Sequence, residues 1–177
     1  MSVALAAASP PDAFRLAMRE LAGTVTVVTA TSHTDEAAMT ATSVCSVSAE
    51  PPQLLACIHR GGRTHALIAA SRKFAINVLS PQHADLARHY SAAGRTGGML
   101  VRGRWLRNSE RPPLLADALV AFSCEVVQEI DAGTHTVFVG RVVYLTCRGT
   151  HPLIYRQGMF GRFAEMTSDL SHETLDY

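Results

Sequence analysis

Three short stretches hold residue types from which a binding or catalytic site could be built. Gly61-Gly62-Arg63-Thr64 follows an apolar run and opens a helical pattern, with Thr64 the expected N-cap. Exposed N–H groups at a helix start, a hydroxyl and a guanidinium suit a phosphate, and they equally suit an ordinary capped turn. Met39-Thr40-Ala41-Thr42-Ser43 is rich in small hydroxyl side chains. A flat polar heterocycle can lie close against such a strand and take hydrogen bonds from its N–H groups, although tight packing is the commoner reason for small residues. His135 stands just beyond a hairpin glycine, which puts its ring at a sheet rim. There it could donate to a phosphate or amide, or supply a proton near neutral pH; a lone histidine is more often an ordinary surface residue.

None of these stretches asks for a metal. Cys45, Cys57, Cys124 and Cys147 are far apart with no C-x-x-C, and each sits among apolar or small residues in a strand-like segment, as reduced, buried thiols do. The eight histidines show neither H-x-x-x-H nor H-E-x-x-H. With 16 basic and 15 acidic residues, the formal charge of +1 lacks the one-signed field of a nucleic-acid binder. No run approaches the roughly 20 apolar residues that cross a bilayer, so no membrane partner is expected. The N-terminal MSVALAAASPPD has no basic region before its short apolar run and reads as a frayed tail, leaving a soluble cytoplasmic protein as the expectation.

The elements that must position these residues are short. Asp12 to Leu21 places Phe14, Ala17, Met18 and Leu21 on one helical face, with Pro10-Pro11 before it and Gly23 after it. The β-branched run from Thr24 to Thr29 predicts a strand, His33 to Ala37 its turn, and Met39 to Ser48 a second strand. Glu50-Pro51-Pro52 breaks the ladder before a strand over Gln53 to His59. A helix through Ala70, a strand over Phe74 to Leu79 and a helix over Pro81 to Tyr90 with Leu86 inward follow. Residues 91–112, rich in Gly, Arg and Ser around Trp105, read as a long loop that covers a site or moves. Ala118 to Ile130 and Thr136 to Thr146 flank Asp131-Ala132-Gly133 as a hairpin. Many even strands, few helices and no G-x-G-x-x-G after a strand favour an antiparallel barrel over a doubly wound dinucleotide fold. At 177 residues with 47% apolar content, one domain over 12–163 suffices, between tails at 1–11 and 164–177.

In order and spacing, these segments resemble the short-chain flavin reductase family, the NAD(P)H-dependent components of two-component flavin monooxygenases. The resemblance is carried by Phe14-Arg15, Ala22 to Thr29, Met39 to Ser48 with Glu50-Pro51-Pro52, Arg63-Thr64-His65, Phe74 to Leu79, Gly133 to Gly140 and Pro152 to Tyr155. It implies a mainly β split β-barrel with a few helices, a homodimer, FMN or FAD bound near the subunit interface, NADH or NADPH as hydride donor, and a monooxygenase receiving reduced flavin. By that resemblance Met39, Thr40, Ala41, Thr42 and Ser43 lie along the isoalloxazine, with Thr42 and Ser43 serving the ring edge or ribityl chain. Cys57, Ile58 and His59 line the same wall, Arg63 and Thr64 bind the flavin phosphate, and His89 and Tyr90 lie near the outer nucleotide. His135 helps receive the nicotinamide as the catalytic group, and Tyr155 closes the pocket. One departure bears on His135: the family usually has Gly-Asp-His where this chain has Gly133-Thr134-His135. The alternatives are a flavin- or haem-binding carrier on the same barrel without nicotinamide turnover, and a pyridoxamine-phosphate-oxidase-like enzyme, for which the basic phosphate cluster is missing.

Overall fold

A computed structural model describes residues 11–91, 99–149 and 151–165. The expected tails lie almost wholly outside the described residues. Runs of Val, Thr, Ile and Ala build the seven strands of the main sheet: β2 (Thr26–Thr31), β3 (Glu36–Ala41), β4 (Val44–Ala49), β5 (Pro52–His59), β6 (Lys73–Val78), β9 (Val120–Ala132) and β10 (His135–Cys147). Their order is β3-β2-β6-β9-β10-β5-β4, every pair antiparallel. Three smaller strands, β1 (Gly23–Thr24), β11 (Leu153–Arg156) and β12 (Met159–Arg162), form a side sheet, and β7 (Trp105–Leu106) pairs with β8 (Leu114–Leu115). The helices are α1 (Pro11–Met18), α2 (Arg63–Ser71) and α3 (Ala84–Ser91), the last preceded by a 3-10 turn over Pro81–His83.

Alternation along the strands sends neighbouring residues to two cores. Val28, Ile58, Phe74, Ile76 and Phe138 meet inside the rolled sheet, where α2 plugs them with Ile68. Val27, Ala75 and Leu79 face outward, covered by Ala87 and Tyr90 of α3 and by Trp105. Gly140 is required by the inner core: a Cβ there would stand 2.6 Å from the Phe74 ring and 2.8 Å from Cys124 Cβ.

The structure departs from the sequence reading in several places. The expected strand from Met39 to Ser48 is two strands at opposite edges of the sheet, separated at Thr42-Ser43, because the chain leaves one edge and enters the other. Glu36 and Ala37 belong to β3, and the turn is confined to Ser32–Asp35, closed by Ser32 N–H on Asp35 O at 2.8 Å. The hairpin turns at Gly133-Thr134, with Gly133 at φ +66 as a two-residue turn with glycine first requires. Gly62 caps α2, and Thr64 is a buried helical residue. Helix α1 stops at Met18, since Arg19 O accepts from Gln157 N–H and Glu20 is held by Arg156 and Gln157. Its Phe14 and Met18, and Leu21 beyond, are exposed. Of the four free thiols only Cys124 is buried, its pKa pushed up to about 12 by burial; Cys45 and Cys147 are exposed.

The long loop is anchored over its described part, 99–112. Arg107 grips Glu36 in a two-point pair at 2.8 and 3.0 Å, and Leu100 N–H adds a third bond at 2.9 Å. Burial pushes the Glu36 carboxyl up, but those donors outweigh it and hold its pKa below the ordinary value. Residues 92–98 lie outside the described residues. On α3, Ala87 and Tyr90 are the buried residues and Leu86 only flanks them.

Candidate functional site

The break between β3 and β4 makes a groove of about 690 Å³. Thr40, Ala41 and Thr42 form its floor, while Arg88 and Ser91 of α3 and the β11–β12 hairpin wall it. Thr40 Oγ1 donates to Ala87 O at 2.7 Å, which ties the floor to α3. Across the groove the Tyr155 and Phe160 rings meet edge-on at 5.6 Å, and the Arg88 guanidinium lies 5.1 Å from the Phe160 centroid while pairing with Asp85 at 2.7 Å. Gly23 pairs with Tyr155, and a Cβ on it would come within 2.9 Å of Thr42 Cβ, so its missing side chain lets floor and wall approach.

Beyond Thr42 the chain joins β5 along a short seam that continues the β4–β5 pairing. Cys57 N–H donates to Ser43 O at 3.0 Å, and Ser43 Oγ donates to Cys57 O at 3.0 Å. Thr42 and Ser43 belong to neither β3 nor β4. Burial pushes the Cys57 thiol up, which keeps it protonated and a poor nucleophile. Alternation turns Ile58 into the inner core and leaves Cys57 and His59 on the other side.

Two residues further along β5, His59 pairs in register with His135, and their rings meet edge-on at 5.2 Å. Gly61 N–H donates to His59 Nδ1 at 3.1 Å. Thr134 Oγ1 lies 2.9 Å from His135 Nδ1, so a hydroxyl holds the ring where the family pattern has a carboxylate. His65 Nε2 lies 2.8 Å from Thr136 Oγ1. Burial lowers the His65 pKa, and the charge of Arg60 and of His59 lowers it further. Arg60 in turn pairs with Asp131 at 3.1 Å.

The structure thus brings Thr40, Ala41, Thr42 and Tyr155 into one groove; Ser43 and Cys57 are bonded to each other beside it, and His59 pairs with His135 two residues further along β5. Arg63 opens α2 but is paired with Asp35, five residues and roughly 16 Å of strand from Thr40. Met39 packs against the inner core. Tyr90 is in the outer core, its hydroxyl on Arg102 O at 2.8 Å and its ring 6.0 Å from Trp105, with the His89 ring 4.8 Å away. Sequence reasoning missed Arg88, Ser91 and Phe160. Arg88 and Ser91 share an i, i+3 face that helix phase could have revealed, whereas Phe160 is placed by a hairpin signalled only by Gly158.

Comparison with known proteins agrees with this geometry. Residues 18–164 match the model of the family described as flavin reductase like domain. The chain is 35% identical over 153 residues to an FMN reductase (NADH) RutF of Bradyrhizobium diazoefficiens, covering 86% of this chain and 83% of that protein. It is 34% identical over 150 residues to the reductase component of a 4-nitrophenol 4-monooxygenase/4-nitrocatechol 2-monooxygenase from Rhodococcus opacus, covering 85% and 80%. Among solved structures, the Streptomyces globisporus NADH:FAD oxidoreductase SgcE6 superposes with a TM-score of 0.84 at 28% identity, over 93% of this chain and 100% of that one. Flavin reductase PheA2 gives 0.79 at 31% identity, over 88% and 99%. The chain carries a hydroxyl-floored groove at the break between β3 and β4, matches the family model over residues 18–164 and has relatives above 30% identity over most of its length, and so it belongs to the flavin reductase-like family.

Proposed function

We propose that the groove and seam hold a dissociable flavin for reduction by a nicotinamide nucleotide, and that the enzyme, an NAD(P)H:flavin oxidoreductase, supplies reduced FMN or FAD to a partner monooxygenase. The observation that carries this is the hydroxyl floor Thr40–Thr42 facing Tyr155 across the groove. The groove's volume falls in the range of small-ligand sites, and its small floor and aromatic wall suit a flat ring system. Bound flavin supplies the hydride acceptor.

The protein's share is positioning and electrostatics. The N–H groups at Thr42 and Ser43 would stabilise the negative charge that arrives with the hydride. Ala41 permits close approach of the ring, and Tyr155 covers it. Arg63 and Thr64 would take the phosphate once Arg63 exchanges Asp35 for it, with Arg88 a second cation nearer the groove. His59 and His135 form the edge where the nicotinamide would be received, His135 held by Thr134. No side-chain nucleophile is needed, which fits the protonated Cys57.

The chain would act as a cytoplasmic homodimer, and the uncovered apolar face of Phe14, Met18 and Leu21 supports a partner surface. The test is oxidation of NADH and of NADPH with FMN, FAD or riboflavin added. Steady consumption in step with flavin reduction is expected. Flavin binding without turnover would instead identify a carrier.

A further inference from the structure

Leu86 and Arg88 lie about 200° apart around α3. Arg88 faces the groove described above, and Leu86 faces a separate cavity of about 380 Å³. A neighbouring cavity of about 570 Å³ shares Gln82 and Asp117 with it. His83 lines the smaller one with its side chain 8% exposed. Its Nδ1 accepts from Ser80 N–H at 3.2 Å, so the neutral ring carries its proton on Nε2. That Nε2 is buried and makes no hydrogen bond among the described residues, and Asp117 Oδ2 stands 3.4 Å from it, a long contact that is an ion pair when the ring is protonated. Buried donors are seldom left in this state, because the loss of water is uncompensated.

The surrounding charge is uncommitted as well. Arg102 and Arg104 line the smaller cavity on either side of Gly103, and Arg148 and Arg162 line the larger. Eight other arginines are each paired with a carboxylate. Among the described residues these four, together with Arg19 and Arg111 elsewhere, are in no such pair. A bare anion would satisfy the guanidinium groups but meet the Asp117 carboxylate. A ligand carrying both a phosphate and hydroxyl donors satisfies both, the hydroxyls serving Asp117.

We infer that these adjoining cavities form a second ligand site, for a phosphorylated polyol of the sugar-phosphate class, on the side of α3 turned away from the flavin groove. Titration calorimetry of the full chain with ribose 5-phosphate, run with and without saturating FMN, tests it. Saturable binding that FMN does not displace is expected, weaker binding of inorganic phosphate, and a loss of about tenfold or more in ribose 5-phosphate affinity in Arg102→Ala/Arg104→Ala. FMN affinity should be unchanged in that variant. Asp117→Asn should narrow the preference for ribose 5-phosphate over inorganic phosphate. Absence of saturable binding, displacement by FMN, equal binding of inorganic phosphate, or full affinity in the double-arginine variant would each overturn the site. None of these outcomes depends on reductase turnover.

Discussion

The groove and the histidine rim are joined by two residues of β5, yet they are built on opposite plans. The groove floor is a place where backbone leaves the ladder, and its side chains are small and tied inward, as Thr40 is to Ala87. The rim is a set of ionisable rings held by one another and by hydroxyls, with His135 on Thr134 and His65 on Thr136. Shape governs the first region and side-chain hydrogen bonding the second. Binding should therefore fail when the groove is filled, and turnover should fail when the rim is stripped.

The largest effect should come from filling the floor. Ala41→Phe should raise the flavin dissociation constant by on the order of a hundredfold, the upper end of the cost of overpacking, as read by fluorescence titration. A melting temperature recorded alongside separates lost binding from lost fold, since Ala41 also touches the inner core. His135→Ala should lower kcat for NADH oxidation by about tenfold while flavin affinity stays within about twofold. Equal turnover in that variant would return the ring to an ordinary surface role.

Arg63→Ala should weaken flavin binding by about 1–3 kcal/mol, and Asp35→Asn should strengthen it by releasing the guanidinium. If neither moves the dissociation constant, Arg63 serves the fold alone. The smallest effect concerns pH. Because the His65 pKa lies below its ordinary 6.5, the folded protein binds this proton less readily than the unfolded chain. The neutral ring's contribution is thus complete above about pH 6.5 and is lost as pH falls below it. Urea unfolding of His65→Gln should show a shallower decline over that interval than the parent protein.

Much of this was legible in the sequence, for identifiable reasons. The runs at Thr26–Thr31, Pro52–His59 and Lys73–Val78 are dense in β-branched and apolar residues, and the structure makes them strands close to the expected limits. The Gly133 hairpin needed only a local φ preference. The break at Thr42-Ser43 was hidden because alternation continues across it, and only the three-dimensional order of the sheet shows that its two halves lie on opposite edges. Arg63 was placed correctly at a helix start, but its pairing with Asp35 is a long-range choice that spacing does not encode. The loop around Trp105 was unreadable because its anchors, Glu36 and Asn77, lie far away in sequence.

The tie between Glu36 and Arg107 joins positions 71 residues apart, and its strength belongs to an ionised carboxylate. Since that carboxyl titrates below its ordinary 4.5, the stabilisation holds above that value and fades as acid protonates it. Acid below pH 4.5 would therefore peel the 99–112 flap from the barrel before the interior yields, and amide hydrogens there would exchange, or a protease cut, while the sheet beneath stayed protected.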